Sequence, residues 1–128
     1  NVVVGRAQVV LHDLRAGSPT DGATETFDLG GDGLARHRGV YIPAGVAHGF
    51  AALGDVTVTY MVDRTYDPDD ELGLAWDDHE VAADWGLVEP VLSDRDRSNP
   101  FRSAIPDDLR PVYLCTPAVF LEKLCTNF

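Results

Sequence analysis

An all-β barrel or jelly roll is the fold class this sequence predicts, and three observations predict it. Short runs rich in Val, Thr, Ile and aromatics recur along the chain at intervals of about eight to twelve residues. Gly, Pro, Asn and Asp clusters punctuate them. Helical signals are confined to two short stretches near the C-terminus.

Taken in order, NVVV (1–4), Gly5 and RAQVVLHDLR (6–15) read as two β-rich runs joined by a tight turn. AGSPTDG (16–22) is turn chemistry. ATETFDL (23–29) alternates as a half-buried strand, and GGDG (30–33) ends it. RGVYI (38–42) reads as a strand stopped by Pro43. HGFAAL (48–53) is another, followed by the hairpin signal Gly54-Asp55. VTVTYMV (56–62) alternates strictly, with Val56, Val58, Tyr60 and Val62 on one face. DRTYDPDDELGLAWDD (63–78) reads as a long polar loop holding a short apolar strand. LSDRDRSNP (92–100) predicts a helical turn capped by Ser93, and AVFLEKL (118–124) a short helix after Pro117.

At 128 residues the chain is long enough for one domain with its own core. The expected division is a barrel domain over 1–112 and a tail over 113–128 whose role is unassigned. Net charge of −11 argues against a nucleic-acid partner, because phosphate binding needs clustered Lys and Arg. Twelve of the 21 acidic residues fall between Asp63 and Asp96, against Arg64 and Arg95 alone, a pattern that keeps a face solvated. No apolar run is long enough for a membrane span. NVVVGRAQVV has no basic region ahead of an apolar stretch, so a cytoplasmic location is expected. Cys115 and Cys125 lack metal or redox spacing and read as reduced thiols. The chain opens without Met inside a strand-like run, so an incomplete N-terminus is expected.

The chemistry has to come from few parts. Phosphate-cradling, dinucleotide and G-x-S-x-G motifs are all absent. His12, His37, His48 and His79 form no metal-spaced pattern, so no metal and no cofactor is expected. His48 sits in YIPAGVAHGF (41–50), where a Pro-Ala-Gly turn delivers an imidazole onto an apolar strand. A lone histidine there is ordinarily a satisfied core residue. P-A-G-V-A-H also matches half of a metal-cupin site, whose His-x-His half this chain lacks. Tyr60 shares a face with three valines; it is either a buried tyrosine bonded to backbone or a group facing a ligand. Asp96 in LSDRD reads equally as a capping or surface residue.

VVLHDLRAGSPT, VYIPAGVAHGF, TYMVDRTYDP, WDD with ADWG, and EPVLSDRDR occur in this order from about Gly5 to Pro100. Together they resemble the dTDP-4-dehydrorhamnose 3,5-epimerase family. The resemblance implies a cupin-like jelly-roll barrel, ordinarily a homodimer working without metal, whose substrate is a dTDP-4-keto-6-deoxyhexose. It implies proton abstraction next to the 4-keto group and return of a proton to the opposite face. By position it makes Tyr60 the proton-returning acid and Asp96 the carboxylate that orients the catalytic histidine. His48 then lines the pocket, and Tyr66 of T-Y-D-P stands at its edge.

The family's base is a histidine in R-G-x-H, on a strand before the position that Asn1 matches, with a lysine nearby. The present sequence holds no R-G-x-H, and Val9 stands where many members carry an acid. A non-catalytic sugar-nucleotide-binding jelly roll is the alternative that this absence motivates, with a metal cupin behind it.

Overall fold

The computed structural model describes residues 1–32, 38–67 and 72–114. Cys115, Cys125 and the helix expected at 118–124 lie outside them.

β2 (Arg6–Asp13) is the centre of the molecule. β3 (Thr24–Gly30) pairs with one edge of it and β4 (Val46–Ala52) with the other, both antiparallel and in unbroken register. A second ribbon pairs β1 (Val2–Val4) with β5 (Thr57–Val58).

Strand alternation sorts β2 into two faces. Ala7, Val9, Leu11 and Asp13 share the inner face with Leu29, Phe27 and Glu25 of β3 and with Ala52, Phe50, His48 and Val46 of β4. The β1–β5 ribbon packs over one end of this face: Val2, Ala7 and Leu29 are buried together, with Val9, Phe27, Val40, Val56 and Val58 against them. Burying Val2 and Leu29 contributes about 1.5–3 kcal/mol each. The other end, with Leu11, Glu25 and His48, stays open.

The outer face carries Val10, His12 and Ala51, all buried, and Val81 of the segment 75–86 is bonded to Thr24 on this side. Two sequence motifs meet here. Gly49 of A-H-G-F leaves room for Trp85 of A-D-W-G, whose ring would lie 3.0 Å from any Cβ at position 49. The Trp85 indole N–H is held by the Trp76 carbonyl at 2.7 Å.

The sheets are joined at a glycine pair. Gly30 has φ +76°, and a Cβ there would sit 2.2 Å from the Gly5 carbonyl oxygen and 2.6 Å from Val2 Cγ1. A backbone oxygen cannot swing aside as a flexible side chain can. Gly30→Ala is therefore expected to cost about 2–4 kcal/mol, the sum of left-handed strain and overpacking. Gly22→Ala is the comparison: φ is +79° but nothing lies within 4 Å, so the cost is the strain alone, about 1–2 kcal/mol. Urea unfolding of the pair reads the difference. Equal losses would show that the Gly5–Gly30 approach is not a packing constraint.

Several expected elements differ. Gly5 is not a hairpin turn, because β1 pairs with β5 and leaves β2 to other partners. Gly54-Asp55 likewise joins strands of different sheets. VTVTYMV contributes only Thr57–Val58 as strand, since its partner β1 is three residues long and the register shifts within it. The ladder ends where Thr59 and Asn1 exchange hydrogen bonds at 2.9 and 3.0 Å. RGVYI forms no strand: Val40 joins the core and Arg38 lies over the Phe27 ring, but its backbone pairs with no strand among the described residues. The apolar stretch at 72–76 is not a strand either, but leads into turns.

The Ser93 cap is as expected. It precedes α1 (Asp94–Ser98), and its hydroxyl accepts from the Asp96 amide. Two 3-10 turns follow, Arg102–Ala104 and Asp107–Leu109. Residues 110–113 then dock beside 14–16: the Ala16 amide donates to Pro111 and the Tyr113 amide to Ala16.

Candidate active site

The open end of the inner face is built by register. Leu11 of the central strand stands between Glu25 on β3 and His48 on β4; one row along, Val9 stands between Phe27 and Phe50. His48 and Phe50 are both exposed there. The sequence motif identified His48; Phe50 and Glu25 were missed. Phe50, two residues on, has to share the face of His48 in any strand. Glu25 needs the cross-strand register, which local patterns do not contain.

Beside this floor is a recess of about 150 Å³ edged by Leu11, Glu25, Pro43 and Val46. A larger hollow of about 300 Å³ adjoins it, between Arg15, Tyr41 and Val112. The two share Arg15 and Pro43, and the Arg15 guanidinium, engaged by the Asp13 carboxylate, is committed in both. What sets the smaller recess apart is Leu11, the cross-strand neighbour of His48, which lines it and not the larger hollow.

Tyr60 follows β5, two residues after Val58 of the core cluster, and is 81% exposed. It is therefore not a buried tyrosine bonded to backbone, because the ladder that would bury it has already ended. Tyr66 is also exposed. Asp96 lies on α1, where its carboxylate accepts from Ser93 Oγ at 2.7 Å. Among the described residues no hydrogen bond joins His48, Tyr60, Tyr66 and Asp96 to one another. No three His, Cys, Asp or Glu side chains among the described residues come together to hold a metal ion.

Further along this face and on the one beneath it, the polar groups are committed to structure. Asp13, almost fully buried, is gripped by Arg15 through Nε and Nη2 at 2.8 Å each. Ser18 and Thr20 hydroxyls donate to it at 2.6 and 2.7 Å. The Arg15 hydrogen bonds, with those hydroxyls, hold its carboxyl far below the usual carboxylate range against the opposing effect of burial. His12 is shifted for a different reason. Burial, then the nearby Arg102 charge, lower its pKa below the ordinary imidazole value. Thr24 donates its one proton to the Val81 carbonyl at 2.7 Å. It therefore accepts from His12 Nδ1 at 2.9 Å, and Nε2 is buried without a hydrogen-bond partner among the described residues. His12 is a core group, and His48 is the imidazole open to a ligand.

The family model for dTDP-4-dehydrorhamnose 3,5-epimerase matches residues 1–103. The dTDP-4-dehydrorhamnose 3-epimerase of Streptomyces niveus is 41% identical over 112 residues, which is 86% of this chain and 53% of that protein. Among solved structures, NovW of Streptomyces spheroides, a 4-keto-6-deoxy sugar epimerase from the novobiocin biosynthetic gene cluster, superposes with a TM-score of 0.79 at 40% identity. That match covers 88% of this chain and 56% of NovW. RmlC of Legionella pneumophila, a dTDP-6-deoxy-D-glucose-3,5-epimerase solved in complex with dTDP-4-keto-L-rhamnose, gives 0.72 at 31% identity, over 90% of this chain and 61% of that one. The chain thus spans a little over half the length of these relatives. The shared architecture is a cupin-like jelly roll with short helical segments toward the C-terminus, the all-β class that the strand spacing predicts. With its motifs in order and the family model matched over most of its length, this chain belongs to the dTDP-4-dehydrorhamnose 3,5-epimerase family.

Proposed function

We propose that the open end of the inner face is part of an epimerase site for a dTDP-4-keto-6-deoxyhexose. The observation that carries this reading is the family match over residues 1–103, with the His48 floor left open in the middle of it.

The chemistry follows from the substrate. A 4-keto group acidifies the C–H bonds at C3 and C5, so a base can remove either proton and leave an enolate. Inversion needs an acid on the opposite ring face. Tyr60 takes that role: a phenol of pKa about 10 is protonated at neutral pH. Its hydroxyl, exposed and without a partner among the described residues, has no competing bond to break. The phenolate left behind is reprotonated from water. Asp96 orients the base and supports its charged form, His48 lines the pocket and Tyr66 stands at its rim. The base, and the cation that stabilises the enolate oxygen, are supplied from outside these 128 residues. The working protein is read as a homodimer in the cytoplasm; among the described residues no helix is long and apolar enough to cross a membrane.

The test is proton exchange. Full-length protein and a dTDP-4-keto-6-deoxyhexose in D2O are expected to give deuterium at C3 and C5 by NMR, with inversion. Exchange at one carbon only would narrow the activity to that centre. Binding without exchange would make this a non-catalytic sugar-nucleotide-binding domain.

A further inference from the structure

We propose that Asp78 is a positioning residue for Asp96: its carboxylate grips the backbone at Arg102 and so fixes where α1 stands against the sheet that carries His48. The inference rests on the reading of Asp96 given above.

α1 is five residues long and buries none of them, so it has no apolar side chain to seat it. Packing normally locates a helix this short, because its own hydrogen bonds do not stabilise it. Here the chain leaving its C-terminus is fastened by polar contacts instead. The Asn99 side chain fills the space that Gly73 leaves without a Cβ, and its amide reaches the Leu74 carbonyl at 3.4 Å. The Pro100 carbonyl accepts from the Ala75 amide at 2.8 Å. The Arg102 amide donates to Asp78 Oδ2.

Asp78 is the strongest of these anchors. It is 2% exposed, and its other oxygen accepts from the Glu80 and Val81 amides at 2.7 and 3.3 Å. The anchor continues into the sheet, for the Val81 carbonyl accepts from Thr24 on β3, and Thr24 accepts from His12 on β2. One polar line therefore runs from the end of the Asp96 helix to the central strand. A buried carboxylate that serves three backbone donors in two segments is an expensive way to close a loop. It is a direct way to hold two segments in fixed relation. Ser93 sets the Asp96 side chain locally, and Asp78 sets the helix globally.

Asp78→Asn separates the two duties. The asparagine oxygen can still serve Glu80 and Val81, but its NH2 cannot accept from Arg102. In full-length protein, kcat for epimerisation is expected to fall between about 10- and 100-fold, as a misplaced group costs, with KM changed less than about threefold. Combined with Asp96→Asn it should add almost nothing, since both changes remove the same contribution. Arg102→Pro provides an independent variant if Asp78→Asn fails to fold. It deletes the donor N–H at the first position of a 3-10 turn, after Phe101 at ψ 153°, a conformation that proline accepts. Arg102→Ala keeps the N–H and should leave kcat near wild type. Full additivity with Asp96→Asn, or normal kcat in both Asp78→Asn and Arg102→Pro while Asp96→Asn is impaired, would overturn the inference alone. Normal kcat in Asp96→Asn would instead overturn the reading of Asp96 on which it rests.

Discussion

An Asp13→Ala variant is expected to lose about 3–5 kcal/mol of stability, as when one partner of a buried ion pair is removed. Asp13 is 5% exposed and accepts from the Arg15 guanidinium, the Arg15 amide, Ser18 and Thr20. Without it the Arg15 cation, its side chain 16% exposed, stays largely buried with no carboxylate. Two hydroxyls lose their acceptor, and of the 14–22 loop's bonds to Asp13 only the one from the Gly22 amide to the Asp13 carbonyl remains. For a domain stable by roughly 5–15 kcal/mol, that is a large share. The comparison is Arg6→Ala, which breaks the Arg6–Asp28 pair. Its side chains are 44% and 41% exposed, and such pairs contribute about 0–1 kcal/mol. Urea midpoints of the two variants decide the matter. A loss below about 1 kcal/mol for Asp13→Ala would mean that Arg110, bonded to Asp21 and to the Leu14 carbonyl, holds the loop instead.

The same group sets the acid behaviour. The folded Asp13 carboxyl is held below its ordinary value of 3.8, so below that pH the unfolded chain takes the proton first. Its stabilisation is present above pH 3.8 and is lost as pH falls further. Asp78 acts in the same window: burial opposes ionisation, but the Arg102, Glu80 and Val81 amides together hold its carboxyl below the ordinary range. His12 acts earlier. Its folded pKa lies below 6.5, so the unfolded imidazole protonates first and stability declines as pH falls through 6.5. Acid loss is therefore expected in two stages, and Asp13→Ala should weaken only the lower one.

What local chemistry decides was legible in the sequence. Ser93 announced α1 because an N-cap acts on amides two or three residues away. ATETFDL announced β3 because its alternation matches a half-buried strand. What a distant partner decides was not legible. VTVTYMV has better strand chemistry than VVV, yet most of it is unpaired, since a strand exists only where another strand meets it. The glycine of A-H-G-F gave no hint of Trp85, nor the Asp of W-D-D of Arg102, because each meaning lies in a contact across the fold. The site divides in the same way. The motif pointed to His48; Glu25 and Phe50 beside it came from register.

Tyr60→Phe is expected to leave the protein as stable as before and to remove inversion. The side chain is 81% exposed and its hydroxyl has no partner among the described residues, so the folded state should change by less than about 0.5 kcal/mol. A kinetic defect can then be read without correcting for unfolding. If Tyr60 returns the proton, epimerisation should fall between about 10²- and 10⁴-fold, the usual contribution of a positioned acid. Deuterium exchange should survive better than inversion. The base still forms the enolate on its own face and can return a solvent-derived deuteron there, restoring the starting configuration. Exchange and inversion measured in one NMR experiment separate the possible roles. Equal losses of both would make Tyr60 a group that stabilises the enolate or holds the sugar. Inversion at the wild-type rate would remove it from the chemistry, and the acid would have to be sought on the other half of the site.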